Sequence, residues 1–463
     1  HVRSRRQRQM CIRDRSFTDV TRLDGVQVSA DRAAAAIDVS SVDSRTVITA
    51  EQLQRLPLGR SAEAIAQLAP GVNGNSGNGT YAGPTGAQLV SFGGSSAAEN
   101  AYYINGFNST DPLRGLGGLT LPYGSIDQQE IYTGGYSAKY GRSDGGVINA
   151  VGKRGTNEWR FGGQVTWEPA STRSDKDDVR YPGNGALYSP ESQDREWVTT
   201  QSIYAGGPLL EDRLFFFGSY ELERREGTDV KNVEATNAYS RYEYDRPRRY
   251  AKLDWNITDN HLLELTGASS RNVFRGDSFA YDYDTLTRGA QRGKEDTTKT
   301  GGDLWTAKYT GYLTDRLTVS AQYGEMRTDD YIGNPAYDGS LTYISSATLQ
   351  NPALNGGTPI TNAQTTSLLV NPDRGNRTNN LRLDANYRWG NHSITVGIDN
   401  QNARALNRGS VASADGYYWI YGQSNPNVPL NTGLGVPATG GIRNGEEGYY
   451  CLLYTSDAAD DSL

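Results

Sequence analysis

YSAKYGRSDGGVINAVGKRGTN, residues 136–157, separates two styles of sequence. An aromatic and polar run turns through Gly141-Arg142-Ser143-Asp144-Gly145-Gly146, and Val147-Ile148-Asn149-Ala150 then restarts a strand. Glycine pairs beside a short apolar strand mark backbone that bends sharply or packs close against another surface. The residues before this stretch are compact and rich in Gly and Ala, whereas those after it are aromatic and alternating. It reads as a junction between two kinds of structure.

Downstream, apolar and polar residues alternate with period two. Phe161, Gly163, Val165 and Trp167 interleave with Gly162, Gln164 and Thr166, and Leu317, Val319, Ala321 and Tyr323 with Thr318, Ser320 and Gln322. Leu381, Leu383, Ala385, Tyr387 and Trp389 repeat the pattern, as do Ile394, Val396 and Ile398. Each strand has one apolar face and one polar or charged face. Short turns at Leu210–Arg213, Thr258–Asn260, Thr314–Arg316 and Trp389–Asn391 alternate with long polar links over 169–197, 225–245, 274–300 and 329–378. Short and long connections in turn, between strands of about ten residues, predict an antiparallel transmembrane β-barrel. A soluble sandwich would have to explain the long links and the polar second face. Mean hydropathy is −0.65, and no apolar run is long enough for a transmembrane helix. Barrel strands leave almost no such signal, so the membrane is not excluded.

Upstream, residues 46–156 read as a small α+β domain. Thr46–Thr49 is a strand entering a helix, with Thr49 and Gln52 spaced as a capping box. A second helix runs over Ser61–Leu68 and ends at Pro70-Gly71, and Gly71–Gly94 has loop chemistry. Tyr102–Gly106 is a strand and turn, and Ile126–Tyr132 is another strand. Residues 16–45 form a polar leader with one β-prone piece, Gly25–Ala30.

The two ends are related through DNA. One nucleotide sequence encodes Arg5–Asp14, and its reverse complement in another frame encodes Cys451–Asp460. That sequence resembles a sequencing-library adapter, so residues 1–15 and 451–463 are expected to be adapter-derived and are set aside. Both cysteines fall there, which removes any disulfide or thiolate argument. Six arginines fall there too, so the remainder is more acidic than the formal charge of −7. With no basic face to neutralise phosphates, nucleic acid is not an expected partner.

Val47–Leu53 (VITAEQL) and Leu68–Val72 (LAPGV) resemble the opening of the plug domain of TonB-dependent outer-membrane receptors. Ser91–Gly106 (SFGGSSAAENAYYING) resembles their Oar-like, OmpA-related subgroup, and YGRSDGGVIN at 140–149 with KRGTN at 153–157 resembles the plug's end and barrel entry. The resemblance extends from about residue 24 to 449, loosening beyond 225. It implies an α+β plug (46–156) lodged in a transmembrane barrel of about 22 strands, with 157–450 as the barrel's N-terminal part. It implies a TonB box at Asp24, Gly25, Val26, Gln27, Val28, Ser29 and Ala30, which would add as a strand to the periplasmic protein TonB. The plug signature falls on Tyr140, Gly141, Arg142, Gly145, Gly146, Ile148 and Asn149, with Arg142 expected to contact the barrel. Gly152 stands where the family usually has threonine. Ligand contact is expected from the loops Gly71–Gly94 and Phe107–Leu121, at Tyr81, Phe107, Asn108 and Leu116. Only about ten strands are present, and edges in lipid are costly. The natural protein is expected to begin before residue 16 and continue past Tyr450.

No catalytic or metal constellation emerges. His261 and His392 sit beside turns without partners for a triad or metal set. Gly115–Gly118 lacks the strand and helix of a phosphate cradle. The acidic runs Asp175–Asp178 and Tyr281–Asp284 lack calcium-loop spacing and read as solvated loops, and the many tyrosines suit interfacial girdles and loop contacts. The expectation is a non-enzyme without cofactor in the outer membrane of a Gram-negative bacterium. It would contact outer-membrane lipid and TonB, and take up or bind an unidentified large ligand (peptide, glycan or chelate). The alternatives are a passive or adhesive barrel and a secreted β-rich glycan-binding protein.

Overall fold

A computed structural model describes residues 43–406 apart from 56–60, 75–88, 114, 142, 234–237, 334–337, 339, 342–343, 346–352, 354–368, 371–374 and 391, and adds short strands at Ser410–Val411, Trp419–Tyr421 and Pro437–Ala438. The segment 24–30 and both chain ends lie outside the described residues.

Strand β1 (Ser44–Thr49) runs into helix α1 (Ala50–Arg55) through the expected capping box. The Thr49 amide donates to Gln52 Oε1 at 2.9 Å, and the Gln52 amide donates to Thr49 Oγ1 at 3.4 Å. Helix α2 is shorter than expected, Ala62–Ala66, with Ser61 Oγ accepting from the Ala64 amide at 3.1 Å. Ile65 and Ala66 are fully buried, while Leu68 lies past the helix end and is exposed. Residues 71–94 are not all loop. Strands β2 (Val72–Gly74) and β3 (Val90–Phe92) pair there because Val72, Val90 and Phe92 enter the core. Strands β4 (Ala101–Ile104) and β5 (Phe107–Asn108) form a hairpin through Asn105-Gly106, both at positive φ, +50° and +80°. That is the backbone for which Asn-Gly is favoured in a two-residue turn. With β6 (Ile126–Gly134) and β7 (Val147–Gly152) the sheet order is β1-β6-β7-β4-β5, antiparallel except between β7 and β4.

Nine further strands form one antiparallel sheet in sequence order. They are β8 (Arg160–Glu168), β9 (Arg195–Leu210), β10 (Leu214–Val230), β11 (Tyr239–Thr258), β12 (His261–Asp282), β13 (Thr287–Thr314), β14 (Leu317–Gly333), β15 (Gly375–Trp389) and β16 (His392–Leu406). The four short turns fall where the sequence places them. Two of the long links do not: the ladders continue through 225–245 and 274–300, leaving connections only at 231–238 and 283–286. Those stretches read as loop because both faces are polar, yet a backbone ladder needs no apolar face where water flanks both sides. Strand β13 thus reaches 28 residues.

The sheet is inside out relative to a soluble protein. Phe161, Trp167 and Ile398 are 81%, 69% and 68% exposed, while Glu221 and Thr378 on the opposite face are fully buried. Such alternation is the signature of a barrel wall that meets lipid outside and polar material inside. One lumenal patch is apolar: Phe217, Tyr250, Ala268, Leu304 and Met326 join the plug's Ile104, Phe107, Leu119 and Ile148 in a single core.

Candidate functional site

The glycines of the junction divide between two surfaces. A Cβ on Gly146 would lie 2.2 Å from the Phe92 ring, and one on Gly145 2.5 Å from Asn100 Oδ1, both inside the plug. A Cβ on Gly152 would lie 2.1 Å from Tyr250 Oη, and one on Gly155 2.4 Å from the Phe216 carbonyl oxygen, both on the barrel wall. The threonine usual in the resembling family has no room at Gly152. Of the expected signature, Tyr140 packs its ring 5.1 Å from Tyr103 and 4.9 Å from Tyr132. The Gly141 amide donates to the Ala138 carbonyl. Ile148 is in the core, and Asn149 Nδ2 donates to Glu130 Oε2 at 2.9 Å. Arg142 lies outside the described residues.

Two polar latches that the sequence did not reveal fasten the plug to the wall. The positive-φ turn projects Asn105, whose Nδ2 donates to Tyr250 Oη on β11 and Thr266 Oγ1 on β12, each at 3.1 Å. Its Oδ1 accepts from the Gly152 amide at 2.8 Å, and its carbonyl from Gln322 Nε2 on β14 at 3.1 Å. One turn residue thereby touches three barrel strands and the junction. The second latch is buried Asp111. Its Oδ2 accepts from Thr328 Oγ1 at 2.7 Å and Asn376 Nδ2 at 3.0 Å, and its Oδ1 from the Leu113 amide at 2.9 Å. Arg382 adds a bond to the Lys139 carbonyl at 3.1 Å. The Asn-Gly turn was legible in the sequence, but nothing in a linear chain points to partners more than a hundred residues away.

Farther along β9–β12 toward their long-loop ends lies a cavity of about 710 Å³. Inward-facing Glu196, Tyr242, Tyr244 and Phe274 line it beneath Arg173 and Lys176 of the 169–194 link. Glu196 holds Arg173 at 2.7 Å and Arg225 at 3.3 Å, and accepts from Tyr242 Oη at 3.0 Å. Lys176 pairs with Asp194 at 2.9 Å, and that hydrogen bond raises its ammonium above the ordinary lysine range. Tyr244 and Phe274 pack with centroids 4.8 Å apart. Of the residues expected to meet ligand, Phe107 is fully buried and covers Gly324, and Asn108 is buried with its Nδ2 donating to Gln401 Oε1 at 3.4 Å. Leu116 is half-buried, and Tyr81 lies outside the described residues.

His261 Nδ1 is 2.6 Å from Tyr309 Oη. Asp178 accepts from the Ser192 amide, and Asp282 from the Asp284 and Thr285 amides, so both acidic runs are tied to loop backbone. Among the described residues no group of three His, Cys, Asp or Glu is gathered as for a metal.

The TonB-dependent Receptor Plug Domain family matches residues 37–148. The chain is similar to the TonB-dependent transporter Oar of Myxococcus xanthus, with 26% identity over 54% of this chain and 22% of that protein. It is also similar to the "Probable TonB-dependent siderophore receptor PirA" of Acinetobacter baumannii, with 24% identity over 50% of this chain and 30% of that one. The solved ferric enterobactin receptor of Pseudomonas aeruginosa aligns with a TM-score of 0.52 at 15% identity, covering 79% of this chain and 50% of that one, a likeness of fold. The chain spans between 22% and 33% of the length of the curated relatives it matches.

Proposed function

Since the chain belongs to the TonB-dependent outer-membrane receptors by its plug and its barrel strands, we propose that the whole protein carries a large polar ligand across the outer membrane under energy from TonB. Ligand enters the lumen from the long-loop end and settles in the cavity around Glu196, Tyr242 and Phe274. TonB adds a strand at Asp24–Ala30 and pulls on the leader, and the plug shifts against the wall to open a path. The supporting observation is how the plug is held: besides the shared core, it is fastened by a few side-chain hydrogen bonds at Asn105, Asn108, Asp111 and Arg382, which exchange without covalent chemistry. Ligand binding favours the open plug only insofar as it contacts the two arrangements differently. The cavity sets Arg173, Lys176, Arg195 and Lys231 against Asp175, Asp194, Glu196, Asp229 and Asp277 among three aromatic rings, a near balance without excess positive charge. That balance favours a peptide or glycan over the iron chelates named in relatives such as PirA and the ferrienterobactin receptor of Escherichia coli. The full-length protein is tested for capture by the purified periplasmic domain of TonB, with and without residues 24–30. Loss of capture on deletion is expected. Equal capture would overturn the coupling and leave a passive or adhesive barrel.

A further inference from the structure

On the outward face of the wall, Arg327, Arg377 and Arg404 stand at one level on three neighbouring strands. Arg327 of β14 is directly opposite Arg377 of β15, which is directly opposite Arg404 of β16. They share the parity of Tyr323, Leu381 and Ile398, the exposed apolar positions of the same strands, and lie on the long-loop side of them. The apolar rows run on from Tyr323–Leu381 through Ala321–Leu383–Ile398, Val319–Ala385–Val396 and Leu317–Tyr387–Ile394 to Trp389. From Leu381 to Trp389 they cover about 27 Å of strand, most of the ~25 Å band that meets lipid. The arginines stand about 13 Å of strand beyond Leu381, past the polar row Glu325–Asn379–Asn402, at the level where headgroups border that band.

Like charges directly opposite on adjacent strands repel, so three aligned guanidinium groups require anions. Three carboxylates share this face: Asp303 of β13, directly opposite Arg327, and Asp329 of β14 are both taken by Arg271 of β12 at 2.6 and 3.2 Å, which leaves Glu325 of β14. Buried Glu325 takes Arg327 at 2.5 Å through Oε1 and Arg377 at 2.6 Å through Oε2. Arg404 is exposed, and among the described residues it has no ion pair. Four guanidinium groups, Arg271 included, thus face three carboxylates, and the excess positive charge falls at Arg404, beyond the surface shaped for acyl chains. Guanidinium groups bind phosphate through paired, charge-assisted hydrogen bonds. We propose that Arg327, Arg377 and Arg404 form a docking site for the phosphate groups of a phosphorylated membrane lipid, whose acyl chains lie along Leu381, Leu383, Val396 and Ile398.

Native mass spectrometry of the full-length protein in detergent, titrated with dioleoyl phosphatidic acid and with dioleoylglycerol, tests this. Phosphatidic acid should be retained in preference to dioleoylglycerol. The Arg327→Gln/Arg377→Gln/Arg404→Gln variant should retain it on the order of tenfold less, with dioleoylglycerol retention unchanged. Arg404→Gln disturbs no ion pair among the described residues, so it decides the matter should the triple variant fail to fold, and a severalfold loss is expected. Undiminished phosphatidic acid retention in the folded variants would overturn the proposal. Equal loss of both lipids would also overturn it, by showing that only acyl packing had changed. Displacement by an equal concentration of inorganic phosphate would reassign the row to a soluble anion.

Discussion

Gly152 shows what a single missing Cβ does. Its neighbours are Tyr250 Oη and Cζ, the rigid end of a buried ring, so Gly152→Thr should destabilise by about 1–3 kcal/mol or more. Gly155→Ala should cost at least as much, because it meets backbone that cannot rotate away. Thermal unfolding midpoints of the two variants check this, and an unchanged midpoint would show that the junction can yield to a side chain. Glu63 presents a different situation. It is buried on α2 beside Tyr102, near Gly117, and burial raises its carboxyl above the ordinary range against the opposing hydrogen bonds of its own backbone and Ser61. The folded plug therefore holds the proton more tightly than the unfolded chain does. Its stability should be greatest below the ordinary carboxylate range and should fall as pH rises through the elevated folded value. Glu63→Gln should flatten that slope and raise the unfolding midpoint more at pH 8 than at pH 5. No helical pattern in the sequence singled out Glu63, because an exposed and a buried glutamate look alike until the neighbouring strand is in place.

At the scale of elements, the hairpin β4–β5 and the loop after it carry the fastening of the plug. Asn105→Ala loses the side chain that tolerates positive φ and the bonds to Tyr250, Thr266 and the Gly152 amide, and Asp111→Ala removes the buried carboxylate that accepts from Thr328 and Asn376, leaving only the bond between those two. Each should cost about 1–3 kcal/mol, seen as faster amide hydrogen exchange in β4, β5 and β7 with β9–β12 unaffected. The wall itself holds a buried ion cluster in which Arg248 contacts Glu221 at 2.6 Å and Glu223 at 3.1 Å. Arg248→Met takes a buried guanidinium from Glu221 and Glu223, of which Glu223 keeps Arg246 at 2.7 Å, and should lower barrel stability by about 3 kcal/mol, measured by denaturant unfolding. Strand existence and the short turns were legible from alternation. Strand length was not, since beyond the lipid both faces of β10–β13 are polar and the period-two signal disappears while the hydrogen-bond ladder continues.

At the scale of the molecule, the wall puts its aromatic rings outward. Trp167, Trp255, Trp305 and Trp389 are all substantially exposed on the lipid face. Reconstitution into vesicles with brominated acyl chains should quench the tryptophan fluorescence strongly, whereas a soluble sandwich would show no such effect. The inside-out assignment follows from amino-acid order alone, because alternation fixes which residues share a face and composition fixes which face suits lipid. The junction was equally visible, since glycine pairs beside a strand have few other uses. The sequence by itself thus determined two domains, their order and the chemistry of each barrel face. Only the tertiary structure decided which glycines touch plug and which touch wall, that Asn105 and Asp111 are the fastenings, and that three arginines far apart in sequence share one level. These depend on strand register and on the seating of the plug, and both arise from long-range packing that local sequence patterns do not encode.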